Sequence, residues 1–326
     1  MTIDMHSHYY GGLVEGLERR SVRPTVTTNE RGQRFLNAMT ASTLMSAGYT
    51  DLAARLAYMD GAAIDTQLLT FPGALGVDVV PITESLSIVR DYNNHLAEVC
   101  RGSGGRFVGL GGLPLADIEL AAEELRRLRR SLKLLGAILP GNYFLSVAAV
   151  EPLRPILAAA NDVGALVMVH PGLMPDEQPP TLYSDNSILR ASALNLQASL
   201  SHMALTIIAA GFLDTYPNVT FQVVNLGGTL PFILERMDAI AATRELPVSI
   251  TVGHLRRMVY DCASLGPRAL EIAVKVIGAD RIMLGTDYPI FAPDTVLDTV
   301  RRAEISDDAK ADVLANTAQA IINRLQ

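Results

Sequence analysis

The stretch IDMHSHYY, residues 3–10, ends an apolar run with two histidines two positions apart. If residues 2–8 form a β-strand, the alternation of side chains sends His6 and His8 to the same face. Two imidazoles side by side are a common pair of metal ligands, although two strand-end histidines that only satisfy hydrogen bonds would give the same pattern. The remainder of the chain has to decide between these two interpretations.

The composition indicates a globular protein that does not bind nucleic acids. The chain has 326 residues, 49% hydrophobic and 19% charged, and its 27 basic and 34 acidic residues give a net charge of −7. Binding to phosphate backbones needs clustered Lys and Arg, and the one basic cluster, ELRRLRRSLK at 124–133, has the spacing of a solvated helix face. Because α/β barrels can be this long, we expect a single domain over 1–326, with two domains as the alternative.

Cysteine usage and the start of the chain predict a cytoplasmic location. Cys100 and Cys262 form no disulfide framework, which fits a reducing compartment. The start MTIDMHSH lacks a basic segment followed by an apolar one, so no signal peptide is expected. Apolar stretches such as GALVMVH, residues 164–170, are too short for a membrane span of about 20 residues. We therefore expect a soluble protein with no membrane partner.

Short β-rich runs alternate with amphipathic helical patterns along the chain. The runs are almost continuously apolar, which is typical of parallel strands covered on both faces. Eight alternations predict an α/β fold, a (β/α)8 TIM barrel. The predicted strands cover residues 2–8, 64–71, 106–112, 135–139, 165–170, 219–225, 257–262 and 281–287. The predicted helices cover about 82–103, 117–132, 150–163, 195–214, 229–243, 267–277, 294–302 and 307–325.

Two connections, about 9–50 and 171–190, are longer than a barrel needs. Both follow strands, so we expect them at the C-terminal face, where barrels of this type build their active sites. The second begins HPGLMPDEQPPTLYSDN, residues 170–186, and its proline and polar residues are typical of a lid or substrate loop.

Polar side chains end several of the predicted strands. His6 and His8 end the first, His170 the fifth, Asn225 the sixth and Asp287 the eighth. A barrel strand delivers its last inward side chain to the mouth, so these groups can converge although they are distant in sequence. Three imidazoles and one carboxylate suit a divalent ion such as Zn²⁺. The alternative for His170 taken alone is a buried, hydrogen-bonded histidine.

These motifs resemble the amidohydrolase superfamily, in particular the branch of aminocarboxymuconate semialdehyde decarboxylase and γ-resorcylate decarboxylase. The resemblance covers nearly the whole chain and implies a distorted (β/α)8 barrel in which His6, His8, His170 and Asp287 hold one catalytic metal. It is carried by DMHSH (4–8), VMVHPG (167–172), GFLDTYPNVTFQVVNLGGTLPFILERMD (211–238), RIMLGTDYP (281–289) and ANTAQAIINRL (315–325).

The lysines favour one metal ion over two. Binuclear relatives usually bridge their metals with a carbamylated lysine at the end of the fourth strand, where this chain has LGAILPG, residues 135–141. Its only lysines are Lys133, Lys275 and Lys310, and none ends a predicted strand. We expect zinc, with manganese as the alternative.

The chain departs from the branch at Asn225, where relatives typically carry an acid or base histidine. An amide does not exchange a proton near neutral pH, although it can orient water or a substrate carbonyl. Proton transfer then falls to Asp287, as a base for water on the metal, or another histidine substitutes, or the chemistry differs from the usual one of the branch. His202 is the substitute we consider first, the alternative being a histidine on a helix surface or at an interface.

Fewer sequence features indicate the substrate contacts. In decarboxylases of this branch an arginine soon after the sixth-strand motif crosses a dimer interface to bind a substrate carboxylate, and Arg236 matches that position. The resemblance therefore implies a homodimer, although an arginine on a helix surface would look the same. Tyr9, Tyr10 and Phe291 could wall the pocket or serve only in packing.

Three functions remain open at this point. The first is a mononuclear metal-dependent decarboxylase, a carbon-carbon lyase, acting on a small carboxylated aromatic or unsaturated compound. The second is a metal-dependent hydrolase of a lactone, amide or ester that uses metal-bound hydroxide, which Asn225 favours slightly. The third is a barrel that binds a ligand without catalysis.

Overall fold

The eight predicted strands are present and form one parallel sheet in chain order. The computed structural model describes residues 1–178, 187–245 and 250–326. Neighbouring strands in the sheet are neighbours along the chain, as in a (β/α)8 barrel. The strands are Ile3–His8, Thr66–Thr70, Phe107–Gly111, Gly136–Pro140, Leu166–His170, Thr220–Val223, Val259–Asp261 and Ile282–Met283. We refer to them as the first to the eighth barrel strand.

Backbone hydrogen bonds between the first strand and the segment after the eighth close the sheet. The amide of Met5 donates to the carbonyl of Leu284 at 2.8 Å, and the amide of His8 donates to that of Tyr288 at 2.7 Å. The amide of Asp287 donates to the carbonyl of His6, also at 2.7 Å. The predicted TIM barrel is therefore confirmed, and its closure joins the HxH motif directly to the loop that carries Asp287.

The apolar runs form strands because helices and the barrel interior cover both of their faces. Every residue of the third, fourth and fifth strands is buried, as the continuous hydrophobicity predicted. The helices among the described residues are Val14–Glu18, Ala47–Thr50, Leu52–Ala62, Ile82–Gly102, Ile118–Arg130, Val147–Val150, Arg154–Val163, Ser187–Leu189, Leu196–Ala209, Phe212–Thr215, Leu230–Thr243, Val252–Leu255, Pro267–Ile277, Pro293–Arg302, Asp307–Ala311 and Thr317–Leu325.

The connection after the first strand contains structure that the sequence pattern did not predict. Thr25–Thr28, Arg34–Asn37 and Ser42–Leu44 form a small antiparallel sheet. The helix Leu52–Ala62 was also not predicted, although it begins at Asp51, whose carboxylate accepts from the amides of the first turn. In the second long connection, residues 179–186 of the predicted lid loop lie outside the described residues.

Among the described residues, no helix has both the length and the apolar character needed to cross a membrane.

Candidate metal centre

The structure brings four of the predicted strand-end side chains together at the mouth of the barrel. His6, His8, His170 and Asp287 each offer one ligand atom, and these four atoms lie within 4.8 Å of one another. All four residues are buried. The convergence follows from the fold, because parallel barrel strands all end at the same face.

The first strand directs both of its histidines inward. Its pairing with the second strand is irregular between Asp4 and Ser7, so the strand carries one extra residue next to His6. The ring centroids of His6 and His8 lie 5.2 Å apart, and that of His170 lies 5.2 Å from His6 and 4.7 Å from His8. The three rings therefore surround one point.

Nδ1 of each histidine faces an oxygen that can accept a hydrogen bond. Nε2 is therefore the ring atom available to a metal. His8 Nδ1 lies 2.9 Å from Thr70 Oγ1, whose own proton goes to the carbonyl of Ser7. His170 Nδ1 lies 3.0 Å from the carbonyl of Pro171, which can only accept. His6 Nδ1 lies 3.1 Å from a carboxylate oxygen of Asp261, although the pair is not aligned as a regular hydrogen bond. Such contacts fix the tautomer of a metal-bound histidine.

Burial and charge in the site favour the metal-binding forms of His8, His170 and Asp287, but not that of His6. Burial lowers the pKa of His8 and of His170, so both rings are neutral. Burial acts to raise the pKa of Asp287, but the charge of His6 and the hydrogen bond with His8 hold it below its usual value. Burial also acts to lower the pKa of His6, yet Asp261 and Asp287 raise it to about 9. A metal ion must therefore displace a proton from His6.

Besides Nδ1 of His6, two buried polar atoms in the cluster lack a hydrogen-bond partner. They are Nε2 of His6 and Oδ1 of Asp287, which lie 3.6 Å apart, and Asp287 Oδ1 also lies 3.1 Å from Nε2 of His8. Buried polar atoms are normally paired, so this pattern indicates that a further group belongs between them. The buried set of three imidazoles and one carboxylate suits one divalent metal ion.

A cavity of about 450 Å³ opens above the cluster. It includes Tyr10 and Phe291 in its wall, where the sequence had placed them, and its rim carries hydroxyl and amide groups instead of cations among the described residues. The lining residues are His8, Tyr10, Thr40, Pro72, Ala74, His170, Pro171, Ser192, Leu196, Val224, Asn225, Ser264, Asp287, Ile290 and Phe291.

Tyr9 does not line this cavity, so its assignment to the pocket wall is corrected. It follows His8 and precedes Tyr10, and the alternation that turns those two inward turns Tyr9 outward. Its ring stacks on His95 of the helix Ile82–Gly102, and its hydroxyl lies 3.0 Å from Nε2 of that histidine. His95 therefore has a packing role next to the first strand.

Asn225 faces the cavity and is held in an uncommon conformation. Its φ is 52° and that of Leu226 is 57°, both in the left-handed region. Its Nδ2 donates to Oγ of Ser264 at 3.1 Å, which leaves its carbonyl oxygen available to a ligand. His202 is exposed on the helix Leu196–Ala209 and is not part of the lining, so the structure does not support it as a substitute for the missing histidine. Arg236 is likewise exposed and outside the lining formed by this single chain.

Two buried charged residues near the cluster were missed by the sequence reasoning. Arg55 is fully buried, and its guanidinium donates to the carbonyls of His8 at 2.6 Å and Gly48 at 2.9 Å. It lies on the helix that was not predicted, so no sequence signal pointed to it. Asp261 ends the seventh barrel strand after an apolar run, and this signal was the same as the one that identified His170 and Asp287.

Comparisons with known proteins agree with this arrangement. A γ-resorcylate decarboxylase of Rhodococcus jostii (strain RHA1) is 29% identical over 256 residues, which cover 72% of this chain and 76% of the relative. A 2-amino-3-carboxymuconate-6-semialdehyde decarboxylase of Dictyostelium discoideum is 26% identical over 265 residues, or 78% of this chain and 72% of the relative.

A solved structure has the same fold over the whole chain. The dihydroxybenzoic acid decarboxylase of Polaromonas sp. JS666, with bound manganese and the inhibitor 2-nitroresorcinol, superposes with a TM-score of 0.72 at 21% identity. The alignment covers 100% of this chain and 97% of that one. The profile of the amidohydrolase family matches residues 3–324, and this chain therefore belongs to that family.

Proposed function

We propose that this protein is a metal-dependent decarboxylase of a small carboxylated aromatic or unsaturated compound. The observation that carries the proposal is the convergence of four buried ligand atoms within 4.8 Å at the floor of a cavity. The relatives named above are decarboxylases of such compounds, and 2-nitroresorcinol, the inhibitor in the Polaromonas structure, is a small aromatic molecule. The cavity has room for a ligand of that size.

The metal we propose is a single ion held by Nε2 of His6, His8 and His170 and by Asp287. Such an ion, when bound, acts as a Lewis acid on the substrate carboxylate and a neighbouring oxygen. Zinc is our first choice, because three imidazoles and one carboxylate are common zinc ligands, and manganese is the alternative, since the Polaromonas enzyme contains it.

Asp287 is the group we propose to carry the proton. Decarboxylation breaks the bond between the carboxylate group and the substrate carbon that bears it. That substrate carbon must take up a proton as CO₂ leaves. Since the charges around Asp287 keep its pKa low, its carboxylate is ionised near neutral pH. It must therefore first accept a proton, for example from a hydroxyl group of the substrate, and then deliver it to the carbon.

Asn225 would orient the substrate without exchanging a proton. Its amide donates to Ser264, so its carbonyl oxygen can accept a hydrogen bond from a hydroxyl group in the cavity. The same residue supports a second candidate function, the hydrolysis of a lactone, amide or ester, because such a reaction can proceed with Asp287 as the base and without the histidine that relatives of the branch carry.

A homodimer would give Arg236 a function. Arg236 lies on the helix Leu230–Thr243 between Phe232, which is 79% exposed, and Ile240, which is 45% exposed, and residues four apart share one helix face. A second copy covering this face would bury the apolar side chains and present Arg236 to the partner's substrate, whose carboxylate suits a planar guanidinium.

We also propose that the protein acts in the cytoplasm, as a single domain.

One experiment separates these candidates. The protein is loaded with zinc or manganese and incubated with a panel of hydroxybenzoates and lactones, while CO₂ and acid release are both measured. Decarboxylation releases CO₂ and forms no new acid group, whereas lactone hydrolysis releases acid and no CO₂. Metal content well below one equivalent after loading would contradict both enzymatic functions and favour a barrel that only binds a ligand.

A further inference from the structure

Asp261 contacts His6 of the metal cluster and the backbone at Asn225 with different oxygens. It is fully buried at the end of the seventh barrel strand. Its Oδ2 lies 3.1 Å from His6 Nδ1 and accepts from Gln222 Nε2, also at 3.1 Å. Its Oδ1 accepts from the backbone amides of Asn225 at 3.1 Å and Ala263 at 3.3 Å. One carboxylate therefore links the first, sixth and seventh strands.

We propose that Asp261 is a positioning residue for both halves of the site. It holds the ring of His6 in the tautomer that ligates the metal, and it holds the turn that presents Asn225 to the substrate. This inference rests on the proposed metal centre and assigns a role to a residue that does not itself line the cavity.

The packing around His6 supports the first role. A carboxylate is an acceptor only, so the nitrogen facing Asp261 has to carry the proton, which leaves Nε2 free. Gly285, which follows the eighth strand, allows this approach, because a Cβ at that position would lie 2.7 Å from the Cβ atoms of both His6 and Asp261. A larger residue at position 285 would therefore push His6 and Asp261 apart.

The backbone around Asn225 supports the second role. Asn225 and Leu226 both have left-handed φ values, and such conformations persist only when their surroundings hold them. Ser264, the hydrogen-bond partner of Asn225, is left-handed as well, with a φ of 62°. Asp261 Oδ1 binds the amide of Asn225 itself and that of Ala263, the residue before Ser264. The same oxygen therefore fixes both members of the Asn225–Ser264 pair.

Asp261→Asn tests the proposal with little change in volume. An amide has one acceptor oxygen in place of two, so its NH₂ group must face either the ring of His6 or the two backbone amides. If it faces His6, the ring proton moves to Nε2 and blocks the ligand atom. Facing the amides would set its NH₂ group against two fixed backbone donors, so the orientation toward His6 is favoured. We expect a loss of zinc or manganese affinity of about 10- to 100-fold, measured by competition with a chelator.

A second measurement reports on the tautomer without any activity assay. ¹⁵N spectra of histidine-labelled, metal-free protein, recorded at a pH above 9 where the ring of His6 is neutral, should show its proton on Nδ1 in the wild type and a shifted tautomer population in Asp261→Asn. If that variant does not fold, Gln222→Met serves in its place, because it removes the donor that holds Asp261 Oδ2. The expected loss of metal affinity is then smaller, about 3- to 10-fold.

The matched control is Glu124→Gln. Glu124 is another fully buried carboxylate, but it bonds to Asn93 and Arg127, away from the cavity. This variant should lose stability and keep its metal affinity. Wild-type affinity in Asp261→Asn or, if that variant does not fold, in Gln222→Met would overturn the inference. A wild-type protein that binds no metal would instead refute the proposed function, so the two failures can be distinguished.

Discussion

Asp78 is a buried carboxyl without a partner, and replacing it with Asn should stabilise the protein increasingly as the pH rises. Asp78 is 1% exposed, and neither carboxylate oxygen has a hydrogen-bond partner. Burial raises its pKa from 3.8 to about 8. Its backbone carbonyl accepts from the amide of Leu115 at 2.9 Å, so the surrounding loop is held independently of the side chain.

The direction in which the free energy of unfolding changes with pH follows from the protons bound in the folded and unfolded states. Asp78 is neutral in the folded protein below pH 8 and ionised in the unfolded chain above 3.8, so folding takes up one proton between these values. Stability therefore falls as the pH rises through this window, by about 1.4 kcal/mol per pH unit, and the loss is complete above the folded pKa. Asn does not titrate. The stability of Asp78→Asn relative to the wild type should increase by about 3 to 4 kcal/mol between about pH 5 and about pH 8.

The assay is urea unfolding of wild type and variant at several pH values, with a chelator present so that metal binding does not contribute. Glu124→Gln is the control of opposite sign. Burial acts to raise the pKa of Glu124, but hydrogen bonds from Arg127 and Asn93 lower it below its ordinary 4.5. Its carboxylate thus stabilises the protein above that pH, and the contribution is lost as the pH falls through the lowered folded pKa. A stability difference for Asp78→Asn that stays constant or shrinks from pH 5 to 8 would refute the reasoning.

Four further predictions concern the site. Asp287→Asn should abolish turnover while the protein stays folded, because the backbone bond from residue 287 to His6 remains; activity that survives would remove Asp287 from the proton path. Chelation should lower the melting temperature, and metal at about 1,000 times its Kd should restore about 4 kcal/mol; His170→Ala should lose this response, and an unchanged response would place the metal elsewhere. Asn225→His should fold with a stability change within about 1 kcal/mol, since histidine tolerates a left-handed φ, and a collapse in soluble yield would contradict this. Arg236→Ala should raise KM for a carboxylated substrate about 10-fold or more with little change in kcat, and an unaltered KM would leave Arg236 without the proposed contact.

The pattern of apolar runs was enough to predict the barrel and the groups at its mouth. Whether a run of residues forms a strand depends mostly on local composition and periodicity. The ends of parallel strands then meet at one face whatever the details of packing. This is why His170 and Asp287 could be associated with His6 and His8 across more than half of the chain, and why Asn225 could be identified as facing the same point.

Other features depended on contacts that no local pattern encodes. The small sheet at 25–44 is made of short strands with exposed residues, whose pairing is set by their turns and neighbours.

The sequence by itself thus determined the fold class and the ligand types, because strand periodicity and the polar residue at each strand end are properties of short segments. Only the tertiary structure decided which oxygen of Asp261 meets His6, that Arg55 bonds to the carbonyl of His8, and that Asp78 has no partner. The physical reason is that hydrogen bonding and desolvation depend on distances between residues far apart in the chain. These distances exist only once the barrel has closed.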